Sequence, residues 1–134
     1  MDLDGIHVEV HGPADDTPIV LVHGAPDRSS SFRPLMAELG DRRVVVYDRR
    51  GYGRSLGAEP PTSMSDHALD LLGVIEQTGG PAVVVAHSFG SNPAMLAATL
   101  RPEAFVALGC WEPPLVWIDE WPQFTKDYNG RVAA

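Results

Sequence analysis

The sequence predicts an α/β layered fold, a mostly parallel sheet with crossover helices, incomplete on its C-terminal side. Three observations predict it. Short apolar runs recur at 19–22, 44–47, 82–85 and 105–108, the pattern of strands covered on both faces. Stretches with helical spacing of apolar side chains lie between consecutive runs, and one alternating stretch precedes them all. Strands and helices taking turns in this way imply right-handed crossovers within one sheet.

Each element has its own local reason. Ile6, Val8 and Val10 alternate with His7, Glu9 and His11, the period of a half-buried, edge-type strand, before Gly12-Pro13 turns the chain. Ile19-Val20-Leu21-Val22 is apolar without interruption and ends at His23-Gly24-Ala25-Pro26. Phe32, Leu35, Met36 and Leu39 fall at helical spacing, with serines 29 to 31 as candidate N-caps and Gly40 as the stop. Val44-Val45-Val46-Tyr47 follows as a strand, its β-branched content favouring strand over helix. Met64, Ala68, Leu71, Leu72 and Ile75 mark a second helix, opened by Ser63 with Asp66 three residues on and closed near Gly79-Gly80-Pro81. A third helix is expected from about Phe89 to Leu100, with Pro93 near its first turn, where no intrahelical bond is lost. Residues 1–114 read as one core unit. Residues 115–134, which hold Trp117, Trp121 and Pro122 without a clear period, read as the start of a cap or further region, cut off early.

Composition narrows the classes of partner. With 134 residues and 44% hydrophobic content the chain suits one domain with a buried core. A formal charge of −8 repels phosphate backbones and anionic membrane surfaces, so neither nucleic acid nor membrane is expected as a partner. The N-terminus is acidic and no apolar run approaches the ~18 residues of a membrane span, which makes a cytoplasmic protein the expectation. Cys110 stands alone in the apolar run 105–111 and reads as a buried small hydrophobe.

Chemically loaded residues follow the strands. In an open parallel sheet ligands bind beyond the carboxyl ends of the strands, and His23-Gly24-Ala25-Pro26, Asp48 to Ser55, Ser88 and Glu112 each follow one. Ala86-His87-Ser88-Phe89-Gly90, between an apolar run and a helical stretch, reads as a nucleophile elbow with small residues two before and two after the serine. A serine hydroxyl is a weak nucleophile. It needs exposure, a base, and donors for the oxyanion that forms on an attacked carbonyl. The Phe89 backbone N–H, at a helix N-terminus, is one such donor; the other would come from the turn after Val22, where Pro26 has no N–H and Ala25 is the best candidate.

His23-Gly24-Ala25-Pro26, then Asp48-x-Arg50-Gly51-x-Gly53-x-Ser55, then His87-Ser88-Phe89-Gly90, in this order, resemble the N-terminal half of the α/β-hydrolase fold superfamily over nearly all of the chain to Pro114. The resemblance implies an ester, thioester or related acyl hydrolase acting on a small-molecule substrate without a cofactor or metal. It implies Ser88 as nucleophile and Ala25 and Phe89 as oxyanion donors. Departures from the family pattern are as informative. Ala86 stands where glycine is more common, and Ser91-Asn92 replace a frequent glycine. All five histidines, at 7, 11, 23, 67 and 87, precede Ser88, so no base follows the nucleophile. Glu112, 24 residues beyond Ser88, matches an alternative acid position in some members, although it reads first as a carboxylate solvating a strand end.

Plainer roles are expected for the other polar residues. His87, adjacent to Ser88 on a strand, should face away from its hydroxyl as a packed residue. His23 is expected to brace the oxyanion turn, His7, His11 and His67 to lie on the surface, and Asp48 with Arg50 to fix the loop after the second buried strand. Two function classes follow. One is a serine hydrolase impaired or inactive as an isolated chain, completed by a complementing C-terminal half. The other is a non-catalytic remnant or partner-binding fragment whose open sheet edge pairs with a partner or a second copy.

Overall fold

The alternating strand at the N-terminus is not an outer edge. In the computed structural model, which describes residues 2–115, β1 (Asp2–Leu3) pairs with β2 (Ile6–His11), and β2 pairs in turn with β4 (Val44–Tyr47), both antiparallel. The two-residue β1 escapes sequence reading because so short a segment carries no period. The remaining strands, β3 (Ile19–Val22), β4, β5 (Ala82–His87) and β6 (Phe105–Trp111), are parallel, and the six-stranded order is β1-β2-β4-β3-β5-β6. The mostly parallel α/β sheet expected from the alternation of elements is the observed fold.

Helices lie on both faces because the pleat sends successive side chains to opposite sides. Val20, Val22, Val45, Tyr47, Val84 and Ala86 face one layer, where they pack with Ala68, Leu71, Leu72, Val74 and Ile75 of α2 (Met64–Gln77) and Ala94 and Ala97 of α3 (Ser91–Leu100). Leu21, Val44 and Val46 face the other, against Phe32 and the half-buried Met36 and Leu39 of α1 (Arg33–Leu39). Burying a Leu or Val side chain fully is worth about 1.5–3 kcal/mol, so this double coverage makes the inner strands the main source of hydrophobic stabilisation. Ser63 and Asp66 form the expected capping box of α2, with Asp66 Oδ2 accepting the Ser63 N–H at 3.0 Å. The serines before α1 do not cap it. The chain there enters through a 3-10 turn, Ser29–Phe32, and the Ser29 N–H is bonded by Asp48 Oδ1 from a distant loop at 2.7 Å.

β6 is the opposite edge, with no strand beyond it among the described residues. Val106 is 57% and Trp111 62% exposed, and Cys110 is only half-buried rather than the core residue its apolar neighbours suggest. The proposed cap region, including Trp117 and Trp121, lies outside the described residues apart from Leu115. No helix among the described residues is long and apolar enough to cross a membrane.

Candidate active site

Four loops leave the carboxyl ends of β3, β4, β5 and β6, and because those strands are parallel the loops share one edge of the sheet. At the end of β5, Ser88 adopts a φ of +48°, a left-handed conformation that a residue with a side chain rarely takes. Such strain persists where surrounding structure over-determines it. Here the determinants are visible. Ala86 is fully buried, and a Cβ on Gly90 would stand 2.5 Å from the His23 carbonyl oxygen and 2.8 Å from that of Val22, so only glycine fits two residues after the serine. Ser91, which the sequence marks only as a departure from a common glycine, is fully buried and donates its hydroxyl to the Ala86 carbonyl at 3.2 Å. That bond ties the start of α3 back to the end of β5. Ser88 itself is half-buried, and its hydroxyl is neither enclosed nor bonded to a described residue.

The turn after β3 sits directly against this bend. A Cβ on Gly24 would lie 3.1 Å from Ser88 Cβ, which brings Ala25 to the nucleophile's neighbourhood. Ala25 is exposed and Phe89 half-buried, and neither backbone N–H donates to a described acceptor.

His23 braces this turn. Its Nε2 accepts the Arg49 backbone N–H at 2.9 Å, which places the ring proton on Nδ1, and Nδ1–H donates to the Gly24 carbonyl at 2.8 Å. Full burial, reinforced by the Arg49 charge, lowers its pKa to about 4 and keeps the ring neutral. Nothing in the sequence around Arg49, between Asp48 and Arg50, marks it as a site residue. Asp48 is buried, accepting N–H bonds from Ser29 (2.7 Å) and Arg54 (2.9 Å), and Arg50 pairs with Asp70 of α2 through two bonds of 2.6 Å. Both therefore fix the loop, as expected.

His67 is a correction. It is buried rather than on the surface, edge-on to the Phe89 ring with centroids 6.2 Å apart. Its spacing three residues after Met64 and four before Leu71 puts it on the buried stripe of α2, a signal present in the sequence. His7 and His11 remain partly exposed on β2, both beside Glu9. His87 is partly exposed rather than packed in the core; its ring rests on Trp111 with centroids 4.8 Å apart, and Nε2 lies 3.5 Å from Glu112 Oε2. Glu112 is 71% exposed and also has a positive φ of +53°. The structure thus packs Gly24 against both Ser88 and His87, whose Nδ1 would lie 3.5 Å from a Cβ on Gly24, and sets Glu112 beside His87. Among the described residues no group of three His, Cys, Asp or Glu side chains is placed to hold a metal.

A mostly parallel sheet with helices on both faces, a strained serine at the end of an inner strand and a glycine turn against it agree with the architecture of an α/β hydrolase. Residues 19–134 match the alpha/beta hydrolase family, and the chain belongs to that family. It is 32% identical to the lipase LipV of Mycobacterium tuberculosis over 109 residues, 81% of this chain and 41% of that protein. It is 37% identical over 121 residues to a putative carbamate hydrolase RutD of Caulobacter segnis, 84% of this chain and 45% of that one. The crystal structure of an α/β hydrolase from Sphaerobacter thermophilus superposes with a TM-score of 0.75 at 31% identity, covering 96% of this chain and 50% of the other. The chain spans about half the length, or less, of the relatives it matches.

Proposed function

We propose that this chain carries the nucleophile and oxyanion donors of a cytoplasmic serine hydrolase acting on ester, thioester or related acyl bonds of a small molecule. Ser88 attacks the carbonyl, the N–H groups of Ala25 and Phe89 receive the oxyanion, and Glu112 is the candidate acid. The observation that carries the reading is the +48° φ of Ser88 with Gly24 packed against its Cβ. Acyl transfer requires a nucleophile beside oxyanion donors, and the Ala25 and Phe89 N–H groups, which donate to no described acceptor, support that reading. The names of the lipase and carbamate hydrolase relatives agree with attack on an acyl carbon.

No histidine follows Ser88 in these residues, so the isolated chain should turn over p-nitrophenyl esters slowly, with a loss of about 10⁴–10⁶-fold relative to a complete triad. Its site is tested by adduct formation instead. Phenylboronic acid should form a tetrahedral adduct on Ser88, seen by ¹¹B NMR and absent in Ser88→Ala. An adduct that survives the substitution would overturn the assignment.

A second reading is supported by the edge of β6, which has no strand beyond it among the described residues and carries the exposed Val106 and Trp111. Such an edge offers backbone donors and acceptors to another strand, either a complementing C-terminal half or a second copy of this chain. Light scattering distinguishes the readings, since a stable monomer over a wide concentration range argues against pairing between copies.

A further inference from the structure

Arg49 is the least expected residue in the interior. Its side chain is 1% exposed, and among the described residues no carboxylate oxygen lies within ion-pairing distance of it. A buried charge is costly unless paired, and removing charged partners from a guanidinium is a large penalty for a fold to carry. What surrounds it is the site. Nε donates to the His23 carbonyl at 3.0 Å and Nη2 to the Gly24 carbonyl at 2.8 Å, while the guanidinium carbon lies 4.4 Å from the centroid of the Tyr52 ring and 4.9 Å from that of Phe89. Nη1 is buried and has no partner among the described residues.

We infer that Arg49 is a positioning residue that aims the Ala25 N–H of the oxyanion hole and holds a positive potential behind both donors. The inference rests on the function proposed above and deepens it. The Gly24–Ala25 peptide is trans, so its C=O and N–H point in opposite directions across one rigid plane. Two donors, Arg49 Nη2–H and His23 Nδ1–H, grip the Gly24 oxygen from inside the protein. The Ala25 N–H, on the opposite side of that peptide plane, is thereby held pointing away from the gripped oxygen, while Gly24 of the same peptide packs on Ser88. The same guanidinium sits against the ring of Phe89, the residue bearing the second donor. In a low-dielectric interior a cation with no carboxylate against it among the described residues favours negative charge on the oxygen that both donors would receive. Arg49 touches no reacting atom and acts through the turn and the ring.

The test compares wild type with Arg49→Met, which keeps the stem, and Arg49→Lys, which keeps the charge but offers no planar fork. Two readouts are taken, the Ser88 adduct of phenylboronic acid by ¹¹B NMR and the residual dipolar coupling of the Ala25 N–H. Arg49→Met should weaken the anionic adduct at least about tenfold and change the Ala25 coupling, while couplings in Val20, Leu21 and Val22 stay as in wild type. Arg49→Lys should recover part of the affinity. If Arg49→Met does not fold, Arg49→Lys carries the comparison and should bind more weakly than wild type with an altered Ala25 coupling. A folded variant with wild-type affinity and an unchanged Ala25 coupling overturns the role of Arg49 while Ser88→Ala still abolishes the adduct. Loss of the adduct in wild type, or its persistence in Ser88→Ala, overturns the proposed function itself.

Discussion

Gly24 and Ser88 are in contact through space that a single methyl group would close: a Cβ on Gly24 would stand 3.1 Å from Ser88 Cβ and 3.3 Å from the His87 carbonyl oxygen. Gly24→Ala must push the turn away from the nucleophile. The expected result is an approximately tenfold or greater loss of phenylboronate affinity, with a stability cost of about 1–3 kcal/mol typical of overpacking. Urea unfolding and ¹¹B NMR on the same variant separate the two effects, and unchanged affinity would remove this turn from the site.

Gly90 tests the bend rather than the chemistry. Both atoms that its added Cβ would strike, the carbonyl oxygens of His23 and Val22, belong to backbone that cannot rotate aside. Gly90→Ala is expected to destabilise the fold by about 3 kcal/mol, the upper end of the overpacking range, measured as a lowered urea midpoint.

Burial, and then the charge of Arg49, hold His23 near a pKa of about 4, below an ordinary histidine's 6.5. The folded state therefore binds fewer protons than the unfolded chain between these values. Stability is unaffected by this group above pH 6.5 and falls progressively as pH drops toward 4, by up to about 3 kcal/mol in total. NMR titration should show the His23 ring neutral at pH 5.5, and a midpoint near 6.5 would refute the buried, singly protonated ring. Arg49→Met should raise that midpoint by removing the second cause.

Asp48 acts with the opposite sign. Burial disfavours its charge, yet the N–H bonds from Arg54 and Ser29 outweigh it and lower the pKa from 3.8 to about 2. Its contribution, about 2 kcal/mol, is fully present above pH 3.8 and is lost as pH falls through 2. Asp48→Asn should therefore flatten the acid limb of a stability-against-pH curve between those values, and an unchanged limb would contradict the account.

Motifs read most directly where one residue type has a local mechanism. Ser63 and Asp66 announced the start of α2, the apolar runs announced β3, β4 and β5, and the small residues around Ser88 announced the bend. Residues that act across the sheet were less legible. Arg49 sits between two polar neighbours that look more informative, and His67 needs the helix face to be recognised as buried. Cys110 looked like core because its neighbours are apolar, but its burial depends on what lies beside β6.

The α/β class, the alternation of the elements from Ile6 to Trp111 and the serine bend are already written in the sequence, because hydrophobic period, capping residues and glycine are local instructions to the backbone. Only the tertiary structure decided that Asp48 closes the turn before α1 and that β2 runs inside the sheet. It alone decided that the Arg49 guanidinium grips the Gly24 carbonyl. Each of those facts joins residues far apart in the chain, and such contacts are set by the three-dimensional packing of whole elements rather than by any pattern within one.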